Sequence, residues 1–404
     1  MKVVSSEKLP IKMWLENIEE GALEQAKNLA NLPFAFKWVS IMPDSHQGYG
    51  MPIGGVLATK DVIIPNAVGV DIGCGMCAVK TSLTEIDIDI LKKIMGEIRK
   101  SIPVGFNRHK EKQDENLMPD YLNERIEEYP NETKIKYPIV SEQYKNALTQ
   151  IGTLGGGNHF IEIQKGSDGH IWIMIHSGSR NFGLKIAEHY NKLAIKLNEL
   201  WYADSGIPKE WELAFLPLES AEGKAYIREM NYAVEFALAN RKLMMDRIIK
   251  IFGEVLSNGK EYSWGTEPMI NIAHNYAKME NHFNSNVMIH RKGATLATKD
   301  TIGIIPGSQG TKSYIVRGKG NPESFNSCSH GAGRKMGRKQ AEQTLNLEEE
   351  VKKLDDQHIL HAIRGVKDLD EASGAYKDVK EVMENQKDLV DILVELSPLG
   401  VIKG

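Results

Sequence analysis

The sequence of 404 residues predicts an α+β fold: a single large intertwined domain in which mixed or antiparallel sheets are flanked by helices. Two observations predict it. Segments with helical periodicity alternate with short β-type runs along the whole chain, and glycine is concentrated in three widely separated windows, at 48–75, 152–157 and 303–333. No internal repeat and no Ser/Pro/Gly-rich linker divides the chain. We therefore expect one domain that spans residues 1–404.

The elements of the first half follow from local patterns. Apolar residues at helical spacing predict a helix over 14–30, and an aromatic and β-branched run predicts a strand from Phe36 to Met42. A second helix carries apolar residues from Ile90 to Ile98 and ends before Pro103. Between 104 and 142 the chain is polar, and we expect a long excursion or lid there.

The second half begins with a predicted β-hairpin. Phe160–Ile163 and Ile171–Ile175 flank a turn bounded by Gly166 and Gly169. Apolar residues three or four apart then predict one helix from Ala187 to Trp201 and another from Ile227 to about 256. The remaining expected elements are short strands near 286–292 and 312–317, a charged helix around 378–395 and a tail at 398–404.

Composition excludes several classes of protein. The formal net charge is −4, with 41% hydrophobic and 26% charged residues, so a disordered or collagen-like chain is excluded. No stretch approaches 18 consecutive apolar residues, and the N-terminus has no apolar signal region. The chain has three cysteines, Cys74, Cys77 and Cys328. This number is too small for a disulfide framework, and it is odd. We therefore expect a soluble cytoplasmic protein.

An acid and a thiol lie three residues apart in the run Asp71-Ile-Gly-Cys-Gly-Met76. Carboxylate and thiolate together can hold a borderline cation such as Zn²⁺, Mn²⁺ or Fe²⁺. The alternative is that Cys74 is a small buried hydrophobe. Imidazoles from elsewhere would be needed to complete a metal site.

The hairpin can supply these imidazoles. If the turn occupies Gly166–Gly169, paired residue numbers sum to 335 and His159 lies opposite His176, with Cβ atoms roughly 4.5–5.5 Å apart. A slip of one residue would separate them, and the alternative is two unrelated histidines at strand ends. His274 is an outlying candidate, because a lone histidine is as readily a core or surface residue.

The third glycine window contains Asn326-Ser-Cys-Ser-His-Gly-Ala-Gly-Arg334. Successive small residues with free N–H groups form anion-binding concavities, so His330 could contact a phosphate or attack phosphorus to give a phosphoramidate. Pro306–Lys312 is a similar glycine-bent turn. Neither segment is a Walker A loop, and an ordinary tight turn is the alternative for both.

Eight segments together resemble the RtcB family of RNA-splicing ligases, and the resemblance covers nearly the whole chain. The segments are Met42–Gly50, Ala67–Met76, Gly152–Glu162, His176–Arg180, Pro306–Ser308, Ser327–Arg334, Ala375–Asp378 and Gly400–Gly404.

The resemblance implies an RtcB-like fold and a GTP- and Mn²⁺-dependent ligase. Such an enzyme joins RNA ending in a 3′-phosphate or 2′,3′-cyclic phosphate to RNA with a 5′-hydroxyl, through a guanylylated histidine and an RNA-3′-pp-5′-G intermediate. His330 corresponds to that histidine. The implied ligands of two Mn²⁺ ions, with the thiolate bridging, are Asp71, Cys74, His159, His176 and His274.

The resemblance also implies a nucleotide pocket. Gln309 departs from the methionine usual in its turn. The implied pocket residues are Asn158, His159, Phe160, Ile161, Glu162, Pro306, Gly307, Ser308, Gln309, Ser313, His330, Gly331, Ala332, Gly333, Tyr376 and Lys403.

Residue chemistry suggests roles within that pocket. Glu162 and Lys403 can read guanine edges, Tyr376 can stack on the base, and Asn158 and Asn275 can hold phosphate oxygens. With a net charge of −4, RNA must be bound by local patches, although charged clusters are usually solvated surface. The candidates for phosphate contacts are Arg180, Arg334 and Arg108, with His109, Lys110, Arg291 and Lys292.

Two other functions remain open from the sequence. A two-metal phosphodiesterase or phosphatase could act on RNA ends without ligation, and a non-catalytic protein could bind RNA or metal with the same residues. The need for an activating helper protein, the oligomeric state and the physiological RNA, in tRNA splicing or in RNA repair, also stay open.

Overall fold

Two large sheets organise the computed structural model, which describes residues 1–119, 137–201, 207–257 and 263–404. In the six-stranded sheet, the second and third strands run parallel and every other neighbouring pair is antiparallel. Its strands lie in the order β1 (Lys2–Val4), β2 (Ile11–Met13), β3 (Ala35–His46), β4 (Ile53–Thr59), β12 (Ser285–Lys292) and β11 (Asn275–His282).

The seven-stranded sheet is antiparallel throughout. Its strands lie in the order β10 (Ile270–Ala273), β6 (Gly75–Lys80), β8 (Ile171–Ser177), β7 (Phe160–Gly166), β17 (Val390–Lys403), β15 (Ser313–Gly318) and β14 (Ile302–Ile305). Two small pairs add β13 (Ala294–Leu296) with β16 (Ser327–Ser329), and β5 (Val62–Ile63) with β9 (Leu216–Pro217).

Helices flank these sheets. They are α1 (Glu20–Ala30), α2 (Pro65–Val68), α3 (Ile88–Ser101), α4 (Pro138–Ala147), α5 (Arg180–Trp201), α6 (Ala221–Ser257), α7 (Arg338–Thr344), α8 (Leu347–Asp355) and α9 (Val379–Glu384). Helix α6 buries apolar residues such as Met230, Phe236 and Ile248 and packs against α3, α5 and β8. Among the described residues, every helix is too short or too polar to cross a membrane.

The α+β fold with sheets flanked by helices is confirmed, and most expected elements are present. The strand expected at 36–42 lies within β3, and the helix at 90–98 lies within α3. The strands near 286–292 and 312–317 are β12 and β15, and the two long helices are α5 and α6.

Two expected helices are wrong in part. The first begins only at Glu20, because Ile11–Met13 pairs with β3 and Trp14 is buried with its indole N–H donating to Asp388. The helix expected around 378–395 ends at Glu384, and β17 begins at Val390. Pairing with both β15 and β7 satisfies the backbone of β17, and tertiary hydrogen bonding therefore overrides the helical pattern there.

The expected hairpin register is wrong by one residue. Phe160, not His159, lies opposite His176. The Gly166 N–H donates to the His170 carbonyl at 2.8 Å, so the loop contains the three residues 167–169. Gly169 has a φ of 84°, the left-handed conformation that such loops require. His159 therefore lies just before β7.

The polar segment 104–142 is only partly described. Residues 120–136 lie outside the described residues, and 138–142 belong to helix α4. Before that gap, backbone hydrogen bonds fix Gly105 to Gly155 and His109 to Thr149. The lid remains a prediction.

Candidate active site

Three neighbouring strands bring Cys74, His176 and His274 together. Strand β10 pairs with β6, and His274, which follows β10, donates its backbone N–H to the Cys74 carbonyl at 2.8 Å. On the other side of β6, His176 of β8 pairs with Met76. The side chains are therefore fixed by adjacent strands rather than by long loops.

These side chains form a buried cluster with His159 and Asp71. Cys74 Sγ lies 3.3 Å from His176 Nε2 and 3.5 Å from His159 Nε2, and the three ligand atoms are all within 4.8 Å of one another. His159 Nε2 lies 3.1 Å from Asp71 Oδ2. The ring of His274 is centred 5.2 Å from that of His176. The five expected metal ligands thus meet at one place.

Burial sets the protonation of the cluster. It lowers the pKa of both His176 and His274 well below the usual range, so both imidazoles are neutral at pH 7. Burial, reinforced by the charge of Asp71, raises the pKa of the Cys74 thiol well above the usual range. Burial opposes ionisation of Asp71 as well, but the hydrogen bond and charge of His159 lower its pKa overall.

The donor set fits a divalent cation. His176 Nδ1 donates to the Asn158 carbonyl at 3.0 Å, which leaves Nε2 with its lone pair toward Cys74. His274 Nδ1 is buried and has no hydrogen-bond partner among the described residues. Neutral imidazoles, a thiol and a carboxylate are ligands of Zn²⁺, Mn²⁺ and Fe²⁺. A cation would stabilise the thiolate that burial alone disfavours.

Glycine is required where β8 ends. A Cβ atom at Gly178 would lie 2.2 Å from Asp71 Oδ1, so a larger residue there would displace the carboxylate. The Asp71 loop is also held by Asn275, whose Nδ2 donates to the Asp71 carbonyl at 3.1 Å and whose Oδ1 accepts from the Gly293 N–H at 2.7 Å. Both ends of the Asn275 amide are therefore engaged within the protein.

His330 lies beside the cluster and is held by Asp44. Its Nδ1 donates to Asp44 Oδ2 at 2.7 Å, and the backbone N–H groups of His330 and Gly331 donate to the same oxygen at 3.1 and 3.2 Å. The ring is centred 4.7 Å from that of His274. Because Nδ1 carries the proton, Nε2 is left as the nitrogen with a free lone pair.

The loop that carries His330 packs closely against β3. Gly333 has a φ of 74°, and a Cβ atom there would lie 2.0 Å from the Asp44 carbonyl oxygen. Only glycine allows this approach. The third glycine window therefore meets strand β3 at the Asp44–His330 contact.

A cavity of about 820 Å³ opens beside the cluster and His330. Three expected pocket residues do not line it. His159 lies in the metal-ligand cluster and Ile161 in the hydrophobic core, and Ser313 lies behind the 306–309 turn, where its Oγ accepts from the Gly307 N–H at 3.1 Å. The expected residues that line it include Asn158, Phe160, Glu162, Asn275, Pro306, Gly307, Ser308, Gln309, Gly331, Ala332, Gly333, Tyr376 and Lys403.

A buried acid, Glu162, and a half-buried lysine, Lys403, line this cavity. Burial raises the pKa of Glu162 to about 8, and Gln164 Nε2 donates to its Oε2 at 2.6 Å. Burial also lowers the pKa of Lys403, although the negative charges of Glu371 and Asp370 act to raise it. The Glu162 carboxyl can therefore change its charge near neutral pH when a ligand binds.

Glu371 organises another part of the wall. Its carboxylate accepts from Arg334 at 2.9 Å, from Arg338 at 2.8 Å and from the Tyr376 hydroxyl. Gln309 Nε2 donates to the Glu371 carbonyl at 3.1 Å, while Gln309 Oε1 is buried without a partner among the described residues. Gln309 therefore presents an unused acceptor in the wall of the cavity.

The residues proposed to contact RNA phosphates differ in their surroundings. Arg180 Nη1 lies 3.3 Å from His159 Nδ1, and Arg334 pairs with Glu371, so both lie within the site. Arg291 is fully buried and pairs with Glu280, which removes it from any surface.

Three further basic candidates also differ. Lys292 lines the cavity with its ammonium donating to the Tyr49 and Asn66 carbonyls, and burial lowers its pKa to about 7. His109 contacts Arg247 at 3.0 Å, whereas Arg108 and Lys110 are exposed.

Sequence reasoning missed Asp44 and Glu371. Asp44 stands inside the matching segment Met42–Gly50, but 286 residues separate it from His330 and nothing in the spacing links them. Glu371 belongs to the 3₁₀ helix Val366–Glu371, outside every matching segment. The available signal for Asp44 was an acid directly after the apolar residues Ile41, Met42 and Pro43.

Comparison with known proteins gives consistent matches. A family model described as tRNA-splicing ligase RtcB matches residues 25–404. The chain is 36% identical to RNA-splicing ligase RtcB1 of Escherichia coli strain ATCC 25922 and 36% identical to RNA-splicing ligase RtcB of strain K12, in both cases over 100% of this chain and 99% of the relative. It is 32% identical to tRNA-splicing ligase RtcB of Thermococcus kodakarensis, over 96% of this chain and 92% of that protein.

Proposed function

This chain belongs to the family of tRNA-splicing ligases RtcB, and we propose that it ligates RNA ends with GTP and Mn²⁺. The substrates are RNA with a 3′-phosphate or 2′,3′-cyclic phosphate and RNA with a 5′-hydroxyl. One observation carries the proposal: His330, with Nδ1 held by Asp44, lies beside a buried cluster of metal-ligand side chains in a large cavity.

The cluster is the proposed site for two Mn²⁺ ions. Its imidazoles, its thiol and its carboxylate suit a divalent cation. Bound there, the ions would offset the negative charge of triphosphate and RNA phosphate groups. The residues that would hold them are Asp71, Cys74, His159, His176 and His274.

His330 is the proposed nucleophile. Its Nε2 forms a bond to the α-phosphorus of GTP, and the bond from that phosphorus to pyrophosphate breaks. GMP then passes to the RNA 3′-phosphate, so the P–N bond breaks and the RNA-3′-pp-5′-G intermediate forms. Attack by the 5′-hydroxyl joins the RNAs and releases GMP. Asp44 supports the first step by holding the Nδ1 proton.

The cavity is the proposed nucleotide pocket. Its volume of about 820 Å³ is in the range of small-molecule sites. Glu162 and Lys403 line it and are the proposed readers of guanine, and Tyr376, which donates to Glu371, is the proposed ring for stacking. In these turns, the N–H groups of Gly307, His330 and Gly331 already donate to protein side chains. The proposed phosphate contacts are therefore the backbone N–H groups of Ala332 and Gly333.

The proposal includes a cytoplasmic location, where thiols stay reduced, in keeping with three free cysteines. Arg180, Arg334 and Arg108 are the proposed contacts to RNA phosphates. RNA repair and tRNA splicing are both compatible with this chemistry, with or without an activating helper protein.

Labelling of the protein by GTP tests the proposal. With α-labelled GTP and Mn²⁺, the wild type should retain label and His330→Ala should retain none. His189→Ala is the control, because His189 is an exposed histidine of α5 that does not line the cavity. Label on His330→Ala would rule out the nucleophile.

Joining of RNA ends tests the overall reaction. A 3′-phosphate and a 5′-hydroxyl oligonucleotide should be ligated with GTP but not with ATP. Opening of a 2′,3′-cyclic phosphate without any ligation would instead identify a phosphodiesterase.

A further inference from the structure

Phe106 is fully exposed, at 103% of its reference accessible area, which is unusual for a large apolar side chain. It belongs to residues 103–113, which we call the strap. The strap also exposes Arg108, Lys110 and Lys112, with one acid, Glu111, among them. An aromatic ring therefore stands beside three cations on one surface segment.

The strap is fixed along its length by backbone hydrogen bonds. Gly105 N–H donates to the Gly155 carbonyl at 2.8 Å, and Leu154 N–H donates to the Pro103 carbonyl at 3.0 Å. Further along, the His109 N–H donates to the Thr149 carbonyl at 3.0 Å, and the Gln113 N–H donates to the Leu148 carbonyl at 2.9 Å. The backbone that carries Phe106 is thus ordered against the loop 148–155.

One end of the strap adjoins the candidate active site. A Cβ atom built on Gly156 would lie 3.5 Å from Gly105 Cα, so the two backbones are in contact. The Gly404 N–H donates to the His159 carbonyl at 3.2 Å, and Gly404 lies next to both glycines. Phe106 therefore directly follows Gly105, and the backbone of Gly105 contacts the loop that leads into Asn158 and His159.

We propose that Phe106 is a stacking platform for a base of single-stranded RNA near the end to be joined, while Arg108, Lys110 and Lys112 contact the phosphates that follow. The identity of the ligand rests on the proposed function. Exposed aromatic rings among cations are how proteins bind single strands without reading sequence, because every base has a face that can stack. The cations supply a local attraction that the net charge of −4 does not.

Equilibrium binding of a labelled single-stranded RNA with a 3′-phosphate tests the platform. Phe106→Ala should weaken binding about 5- to 150-fold, the range for loss of one base–aromatic stack. Phe106→Trp should restore it. The slope of log affinity against log salt should not change in Phe106→Ala, since no charge is lost, whereas Arg108→Ala should reduce that slope by about 1.

Abasic probes locate the stacked base. Removing the base at one position near the 3′-phosphate should weaken binding to the wild type but not to Phe106→Ala, because both changes remove the same contact. Ile195→Ala is the matched control: Ile195 is a half-exposed apolar residue about 22 Å along helix α5 from Arg180.

Two outcomes would overturn the platform. One is equal RNA affinity of Phe106→Ala and the wild type. The other is a Phe106→Ala protein that changes its oligomeric state, which would show that Phe106 serves contact between copies of the chain. RNA binding that depends on Phe106 in a protein that never ligates would support the platform while rejecting the proposed function.

Discussion

The Asp44 carboxylate and the His330 ring are joined by a hydrogen bond of 2.7 Å from Nδ1 to Oδ2. Asp44 is fully buried, and the same oxygen also accepts two backbone N–H groups of the His330 loop. One buried oxygen therefore sets both the position of the loop and the tautomer of its histidine. Asp44 is therefore a positioning residue: it orients the imidazole of His330.

Asp44→Asn should slow labelling of His330 by α-labelled GTP by about 10- to 100-fold. Without the carboxylate acceptor, the imidazole is no longer held in one orientation with its proton on Nδ1. Asp388→Asn is the control, because Asp388 accepts from the Trp14 indole and does not line the cavity. Bound metal should be unchanged in both variants. An Asp44→Asn protein that labels at the wild-type rate would show that the contact is structural only.

Much of the site could be predicted because its residues stand in short glycine-rich segments. Asp71 and Cys74 share one segment, and the predicted hairpin placed His159 near His176. The register was nevertheless wrong, because the difference between a three-residue and a four-residue loop depends on the left-handed backbone of Gly169. The two rings still meet, at 5.2 Å between centroids, since His159 lies on the loop before β7.

Other features could not be predicted because they depend on contacts distant in sequence. The chain from Val390 onward has charged and apolar residues that also suit a helix, and only pairing with β15 and β7 decides that it is a strand. The exposure of Arg108 and the burial of Arg291 are likewise invisible in a list of basic residues. Local pattern predicts elements well, whereas burial of polar groups is decided by packing.

Cys74 and Cys77 allow a matched test of metal binding. Both are buried and lie three residues apart, but Cys74 Sγ faces His159 and His176, whereas Cys77 packs in the hydrophobic core. Cys74→Ala should weaken Mn²⁺ binding at least about tenfold, and Cys77→Ala should leave it unchanged. Titration of the metal-free protein, followed by the electron paramagnetic resonance of free Mn²⁺, measures both. Equal losses would point to a general effect on folding.

His290 should make the protein less stable in acid. Its Nε2 accepts from the Ile64 N–H at 3.0 Å and its Nδ1 donates to the Leu57 carbonyl, and burial lowers its pKa to about 4. The unfolded chain takes up a proton near pH 6.5 and the folded chain does not. His290 therefore contributes stability above pH 6.5 that is lost as the pH falls toward 4, about 3 kcal/mol in all.

The measurement is the free energy of urea unfolding of the wild type and of His290→Gln between pH 7 and pH 4. Other buried histidines, including His46, add the same trend to both proteins, so the difference between the two proteins isolates His290. That difference should narrow by about 3 kcal/mol on acidification. A constant difference would contradict the buried neutral imidazole.

Glu162 should make GTP binding depend on pH. Burial raises its pKa to about 8, so the carboxyl is mostly protonated at pH 7 in the free protein. Guanine presents N–H donors on its base-pairing edge, and these bind the ionised carboxylate. GTP affinity should therefore rise with pH, by up to tenfold per unit, and level off above about 8. The dissociation constant of GTP, measured in a His330→Ala background to prevent covalent reaction, gives this profile.

Two controls identify the titrating group. Glu162→Gln should remove the pH dependence of GTP affinity, and the affinity for ATP should not rise with pH. If Glu162→Gln keeps the full pH dependence, the titrating group is Lys403 or the nucleotide itself and Glu162 does not read guanine.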